Sequence, residues 1–301
     1  MTELLEKPVA LFPARERADA VATASPPERR APHPLLALLR RPGVVIALAL
    51  VVFAVLTAVW PALFATHDPT ATAPAERLQA PGLAHWFGTD ELGRDLYSRV
   101  VHGSTLTLAA TALAIGLALV VGLSLGILSG FVGGGTDAVI MRIVDVFLAI
   151  PGLLLALAIV TALGFGTLPV AIAVGIGIVP GFARTTRSEV LRVKTLPYIE
   201  AARAGGASWL RVLLTHVLPN SWGPVVVLAV LDFGAAILAV AALSFLGFGA
   251  APPAAEWGTL ISNGRNYLIT APWVSLLPGL FVAAVVLSLN HLAKTLEETQ
   301  R

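Results

Sequence analysis

The sequence predicts an all-α integral membrane protein with six transmembrane helices and both termini cytoplasmic. Three observations predict it. The 301 residues are 56% hydrophobic and only 13% charged, with a mean hydropathy of +0.83, whereas a soluble domain needs far more charge to cover its surface. The apolar residues come in blocks long enough to cross a bilayer, for which about 20 residues of helix suffice. The basic residues sort between alternate loops, as they do in a chain that crosses repeatedly. Backbone in lipid must satisfy its own hydrogen bonds, which selects helices, and the alternating pattern of a membrane barrel is absent.

Residues 1–42 are rich in Ala, Pro, Glu and Arg, show no sustained apolar period, and read as a flexible cytoplasmic tail. Arg29, Arg30, Arg40 and Arg41 precede the first apolar block. A cleavable signal peptide would instead carry its apolar region near the start. The unit 43–102 holds the first span, to about Phe64, and an external loop containing Pro69, Pro74 and Pro81. Trp60, at the end of that span, suits the lipid–water interface. The unit 103–293 holds the remaining five spans. The second covers about 105–128 and is followed by Gly130, Gly133, Gly134 and Gly135, a turn-rich connection. The third covers about 139–163, with Pro151 expected to kink it. Gly164, Gly166 and Pro169 mark a turn, and the fourth span ends near Phe182. A polar, basic loop fills 183–222. The fifth span covers about 223–246, and the loop 248–274 carries Trp257 and Trp273, read as interface anchors. The sixth covers about 274–292, leaving a short charged tail at 294–301.

Of the 20 Lys and Arg, 16 lie in the N-terminal tail, 131–142, 183–222 and the C-terminus, and 4 lie in 66–103, 164–168 and 248–275. The positive-inside rule assigns the first set to the cytoplasm. Within the spans, Gly116, Gly122, Gly126, Gly175 and Gly177 let helices approach closely. Cysteine is absent, which excludes disulfides and thiolate metal sites. His85, His102, His216 and His291 show no ligand spacing, so no metal site is expected. A net charge of +2 gives no reason to expect a nucleic-acid partner.

The loop 183–222 has a readable shape. Pro197 suits the first turn of a helix that Glu200, Ala201 and Ala202 continue. Gly205 or Gly206 ends it in a left-handed cap, Ser208 caps a second short helix, and Pro219 is expected to stop that one. Small Ala side chains expose backbone to a partner, and Arg203 and Arg211 offer charge. The pattern fits either a docking surface or an amphipathic interfacial helix pair.

Glu200-Ala201-Ala202, then Gly206, then Leu218-Pro219 resembles the EAA loop of ABC importer permeases. His216-Val217-Leu218-Pro219-Asn220 is similar to the dipeptide/oligopeptide/nickel branch. So are Phe87-Gly88-Thr89-Asp90-Glu91-Leu92-Gly93-Arg94-Asp95, Met141-Arg142-Ile143-Val144-Asp145, Ser244-Phe245-Leu246-Gly247-Phe248-Gly249 and Glu256-Trp257-Gly258. The resemblance extends from about residue 35 onward and is nearest the second, C-type, permease of a pair. Thr105 stands where the family often has Arg, and Ala293-Lys294 where it often has Gly-Asp.

The resemblance implies the type I ABC importer transmembrane fold, in the bacterial inner membrane. It implies four kinds of partner: the lipid bilayer, a second homologous permease, two cytoplasmic ATPases that bind ATP and Mg, and an extracytoplasmic substrate-binding protein. Glu200, Ala201, Ala202, Gly206, Leu218 and Pro219 would then form the ATPase-coupling loop, and the cargo would be di- or oligopeptides, or alternatively nickel or another small solute. No Walker A pattern is present, so ATP hydrolysis is expected in the partners and not in this chain.

Charges elsewhere leave alternatives open. Asp232, within the fifth span, fits a pathway position or a structural hydrogen bond. Arg142 and Asp145, three apart on one helix face, can pair near a cytoplasmic gate. Asp90, Arg94 and Asp95 can contact a binding protein or cap the next helix. An ion-coupled carrier would show several mid-membrane acids and inverted repeats, and this chain shows one acid and no repeat. A membrane enzyme would show a clustered catalytic set, which is lacking.

Overall fold

The computed structural model describes residues 41–300, so the expected tail at 1–42 lies almost wholly outside the described residues. Among the described residues, five single helices are long and apolar enough to cross a bilayer: α1 (Pro42–Val59), α2 (Leu96–Val132), α5 (Thr167–Lys194), α8 (Trp222–Phe245) and α10 (Trp273–Gln300). Between α2 and α5, α3 (Gly134–Leu148) and α4 (Gly152–Leu163) meet at 92°. The third span is therefore broken, not merely kinked. Pro151 lacks an amide proton and pushes Ile150 out of helical conformation, so no hydrogen-bond ladder carries across.

The bent pair nonetheless returns the chain from one end of the bundle to the other. α2 and α5 run parallel, as their facing residues show. A Cβ on Gly175 would lie 2.9 Å from the Ala114 carbonyl oxygen. A Cβ on Gly122, Gly126 or Gly130 would lie 2.5 Å from Phe182 Cβ, 2.5 Å from Thr186 Cβ and 2.9 Å from Val190 Cγ1 respectively. This four-residue ladder of glycines lets two backbones touch where lipid gives no hydrophobic drive to helix pairing. Gly116 faces open space and Gly177 has only a distant neighbour, so these two do not join the ladder.

Helix α2 is the axis of the bundle. Ala110, Ala114 and Ile115 pack with Val160 of α4, Val170 and Val174 of α5, and Val240 and Leu243 of α8. On its other side Leu108 packs with Ala54 of α1, Ile237 of α8, and Val282, Val285 and Val286 of α10. At 37 residues α2 is about 55 Å long, well beyond the roughly 30 Å hydrocarbon layer. It begins nine residues before the expected span because Asp95 caps it, accepting from the Ser98 amide at 2.8 Å. Helix α5 likewise runs past Phe182 to Lys194, and α10 absorbs most of the expected charged tail as helix, with Arg41 paired to Glu298 at 3.2 Å.

The loops gather at two ends. At one end the Gly166 amide donates to the Phe248 carbonyl at 2.8 Å and the Phe165 and Phe248 rings stack at 5.4 Å. Trp273 Nε1 reaches the Thr89 carbonyl at 3.4 Å. These contacts join all three segments assigned to the exterior. Trp257, expected as an interface anchor, is instead fully buried at the start of α9 (Trp257–Gly264). Its Nε1 donates to the Val100 carbonyl at 3.0 Å, so its polar tip is satisfied inside the protein and needs no headgroup. Beside it, fully buried Glu256 accepts from Ser244 Oγ at 2.9 Å and the Ala250 amide at 2.8 Å.

Candidate functional site

At the opposite, basic end the chain leaves α5 and folds into an elbow. Helix α6 (Pro197–Ala204) starts on Pro197, whose missing amide proton costs nothing at that position. It closes in two reciprocal bonds, Gly206 amide to Arg203 carbonyl at 3.0 Å and Ala207 amide to Ala202 carbonyl at 3.0 Å. This is the Schellman arrangement, and it needs a left-handed residue. Gly206 supplies it, with φ +84°. Ser208 then caps α7 (Trp209–Val212), its Oγ accepting from the Arg211 amide at 3.4 Å. Pro219 does not stop the helix as expected. A π turn at Leu213–Val217 widens the ladder ahead of it, and Leu218–Asn220 continues helical towards α8. The wider turn relieves the clash between a proline ring and the carbonyl four residues back.

The elbow is bolted to the bundle from beneath. Ile199, Val212, Leu213 and Val217 are buried against Phe131 of α2 and Val190 and Val193 of α5. Lys194 Nζ donates to the Phe131 carbonyl at 2.8 Å, satisfying an orphan carbonyl at the end of α2. The Phe131 ring meets Trp209 edge-on at 4.9 Å and lies under the Arg203 guanidinium at 6.0 Å. Above this base, Glu200, Ala201, Gly206 and Pro219 are exposed, while Ala202 and Leu218 are half-buried. Tyr198, Trp209, Leu210 and Leu214 are also exposed, each by more than two fifths. Apolar rings and chains beside bare backbone and three charged residues make a contact surface that solvent alone does not explain.

The other expected sites fare differently. Asp145 does not pair with Arg142. It pairs with Arg184 of α5 at 2.5 Å, because α3 lies across α5 and offers a partner on a neighbouring helix. Asp137 pairs with Arg187 in the same way. Asp232 is half-buried in α8 and makes no hydrogen bond to another helix among the described residues, so the structural alternative gains no support. Asp90, Arg94 and Asp95 are all buried. Arg94 Nε donates to Asp90 Oδ2 at 2.7 Å and Asp95 caps α2, which is the capping alternative. Glu91, Arg94, Arg99 and Phe165 line a cavity of about 510 Å³ at the external end.

Two features escaped the sequence reading. Arg99 is buried, 3.5 Å from Asp90, and donates to the Pro69 carbonyl at 2.9 Å. His67, His85 and Asp95 converge although 18 and 10 residues separate them along the chain. A short spacing pattern cannot detect groups that a loop brings together.

Residues 122–301 match the family model described as binding-protein-dependent transport system inner membrane component. The chain is 41% identical over 254 residues to the dipeptide transport system permease protein DppC of Alkalihalophilus pseudofirmus, covering 84% of each. It is 41% identical to the probable D,D-dipeptide permease DdpC of Escherichia coli K12, over 83% of this chain and 84% of that one. It is 39% identical to the glutathione permease GsiD of Pectobacterium atrosepticum, over 86% and 87%. Its fold matches a chain of the inward-facing MetNI methionine ABC transporter with a TM-score of 0.55 at 21% identity, over 67% of this chain and 96% of that one. The chain therefore belongs to the binding-protein-dependent transport system inner membrane components, the non-catalytic permease subunits of ABC importers that work with an ATPase and a binding protein.

Proposed function

We propose that this chain forms half of a peptide translocation pathway, with a second homologous permease as the other half. Two cytoplasmic ATPases, which hold the ATP and Mg, seat on the elbow of α6 and α7. Peptide cargo is supported by the relatives, whose names specify dipeptides, D,D-dipeptides, di/tripeptides and glutathione. The observation that carries the coupling role is the continuity of the elbow. Only Thr195 and Leu196 separate it from α5, and its π turn runs through Asn220 to within two residues of α8. A push on Glu200–Gly206 therefore reaches two membrane helices without slack, and the buried base around Phe131 passes it to α2 as well.

The test is peptide uptake by cells carrying Gly206→Pro or Glu200→Arg. Proline cannot adopt φ +84° and lacks the amide that closes the cap. Exposed Glu200 can be reversed in charge without disturbing packing. Both variants should reach the membrane at normal levels, lose at least tenfold in uptake and fail to retain the ATPases on purification. Wild-type uptake by both would remove the coupling role.

A further inference from the structure

The external loop between α1 and α2 holds a group of side chains that transport does not account for. His85 Nδ1 lies 2.9 Å from Asp95 Oδ1, and His67 Nδ1 lies 3.8 Å from the same oxygen. The three ligand atoms are within 4.8 Å of one another. A tetrahedral ion with bonds of about 2.0–2.1 Å needs ligands roughly 3.3 Å apart, and the two separations bracket that edge. We propose that His67, His85 and Asp95 form a site for a divalent ion of the zinc class.

The surroundings are built for it. The Asp95 and His85 side chains are 1% and 9% exposed. Asp95 Oδ2 is occupied by the Ser98 amide at 2.8 Å and Thr66 Oγ1 at 3.3 Å, which turns Oδ1 towards the imidazoles. His85 Nε2 faces Glu76 Oε2 at 3.4 Å. A carboxylate on the far nitrogen is the usual way a metal-binding imidazole is oriented, with its proton on that side and its lone pair on the metal. Without an ion, Nδ1 can donate its proton to Asp95 Oδ1 at 2.9 Å; an ion would displace that proton, with Glu76 holding the one on Nε2, and leave the Nδ1 lone pair facing the metal beside Oδ1. Two carboxylates and two imidazoles balance a charge of +2. Nitrogen and oxygen donors without thiolate suit zinc-class ions over calcium or magnesium. His67, with 45% of its side chain exposed, gives the entry path and leaves the fourth position to water.

The site would staple three points, the segment after α1, the middle of the loop, and the N-terminus of α2. The test uses the intact transporter, purified without a histidine tag and reconstituted in lipid nanodiscs. Zinc bound per copy is measured after dialysis, and Co²⁺ is added to read the intense visible bands of tetrahedral coordination. Wild type should hold one zinc ion more than His67→Ala, and the cobalt bands should vanish in that variant. Glu76→Gln should weaken binding by about tenfold or more. His102→Ala, outside the group, should bind like wild type. His67 is half exposed, so its loss leaves the fold intact, as a normal thermal unfolding curve would verify. Equal zinc content and equal cobalt spectra in wild type and His67→Ala would overturn the site.

Discussion

At the scale of single residues, local chain rules and long-range pairing part company. A left-handed glycine at 205 or 206, the place Gly206 takes, and the Ser208 cap were legible, because both follow from what the backbone needs within five residues. The partners of Asp145 and the burial of Trp257 were not, because each depends on a helix elsewhere in the chain. Glu256 is the sharpest case. Its two oxygens each accept one bond, from Ser244 and from Ala250, in a fully buried setting. Glu256→Leu keeps much of the volume but removes both acceptors, leaving the Ala250 amide without its partner. That costs about 1–3 kcal/mol. Thermal unfolding of purified protein should show the loss, and an unchanged midpoint would mean that the carboxylate is not needed to hold the loop.

Hydropathy located the elements but not their ends. A window of apolar residues reports the part of a helix that lipid covers, whereas α2 and α5 extend beyond it on capped, polar turns. The break at Pro151 was legible as a disturbance, but its 92° angle was not, because it depends on where α3 lies relative to α5, whose Arg184 and Arg187 pair with it. Between α2 and α5, Gly126 faces Thr186 Cβ and the Ala183 carbonyl at about van der Waals overlap for any added carbon. Gly126→Leu should destabilise the protein by at least the 1–3 kcal/mol typical of overpacking. Gly116→Leu, on the same helix with nothing within 4 Å, should be close to neutral. Equal unfolding midpoints for the two variants would show that the ladder is not a tight contact.

For the molecule as a whole, the candidate spans were legible as five apolar helices and one bent pair, and the loop charges assign them an orientation because charge in loops obeys the membrane and not the tertiary fold. The absence of cysteine makes this directly testable. Leu83, in the loop after α1, is fully exposed, and Leu210, on the elbow, is exposed by 54%. A membrane-impermeant maleimide should label Leu83→Cys in intact cells with a permeable outer layer, and Leu210→Cys only after lysis. The reverse pattern would invert the topology and detach the elbow from any cytoplasmic motor.

The glycine ladder also limits how such a bundle can rearrange. Backbones that approach this closely at Gly122, Gly126 and Gly130 resist sliding past one another, which favours α2 and α5 moving together. Flexing between facing states is then easier at joints that lack a continuous ladder. The corner at Ala149–Pro151 is such a joint, and it lies between that pair and the short helix α4 beside it. A hinge set there would let α4 swing while the paired helices stay together.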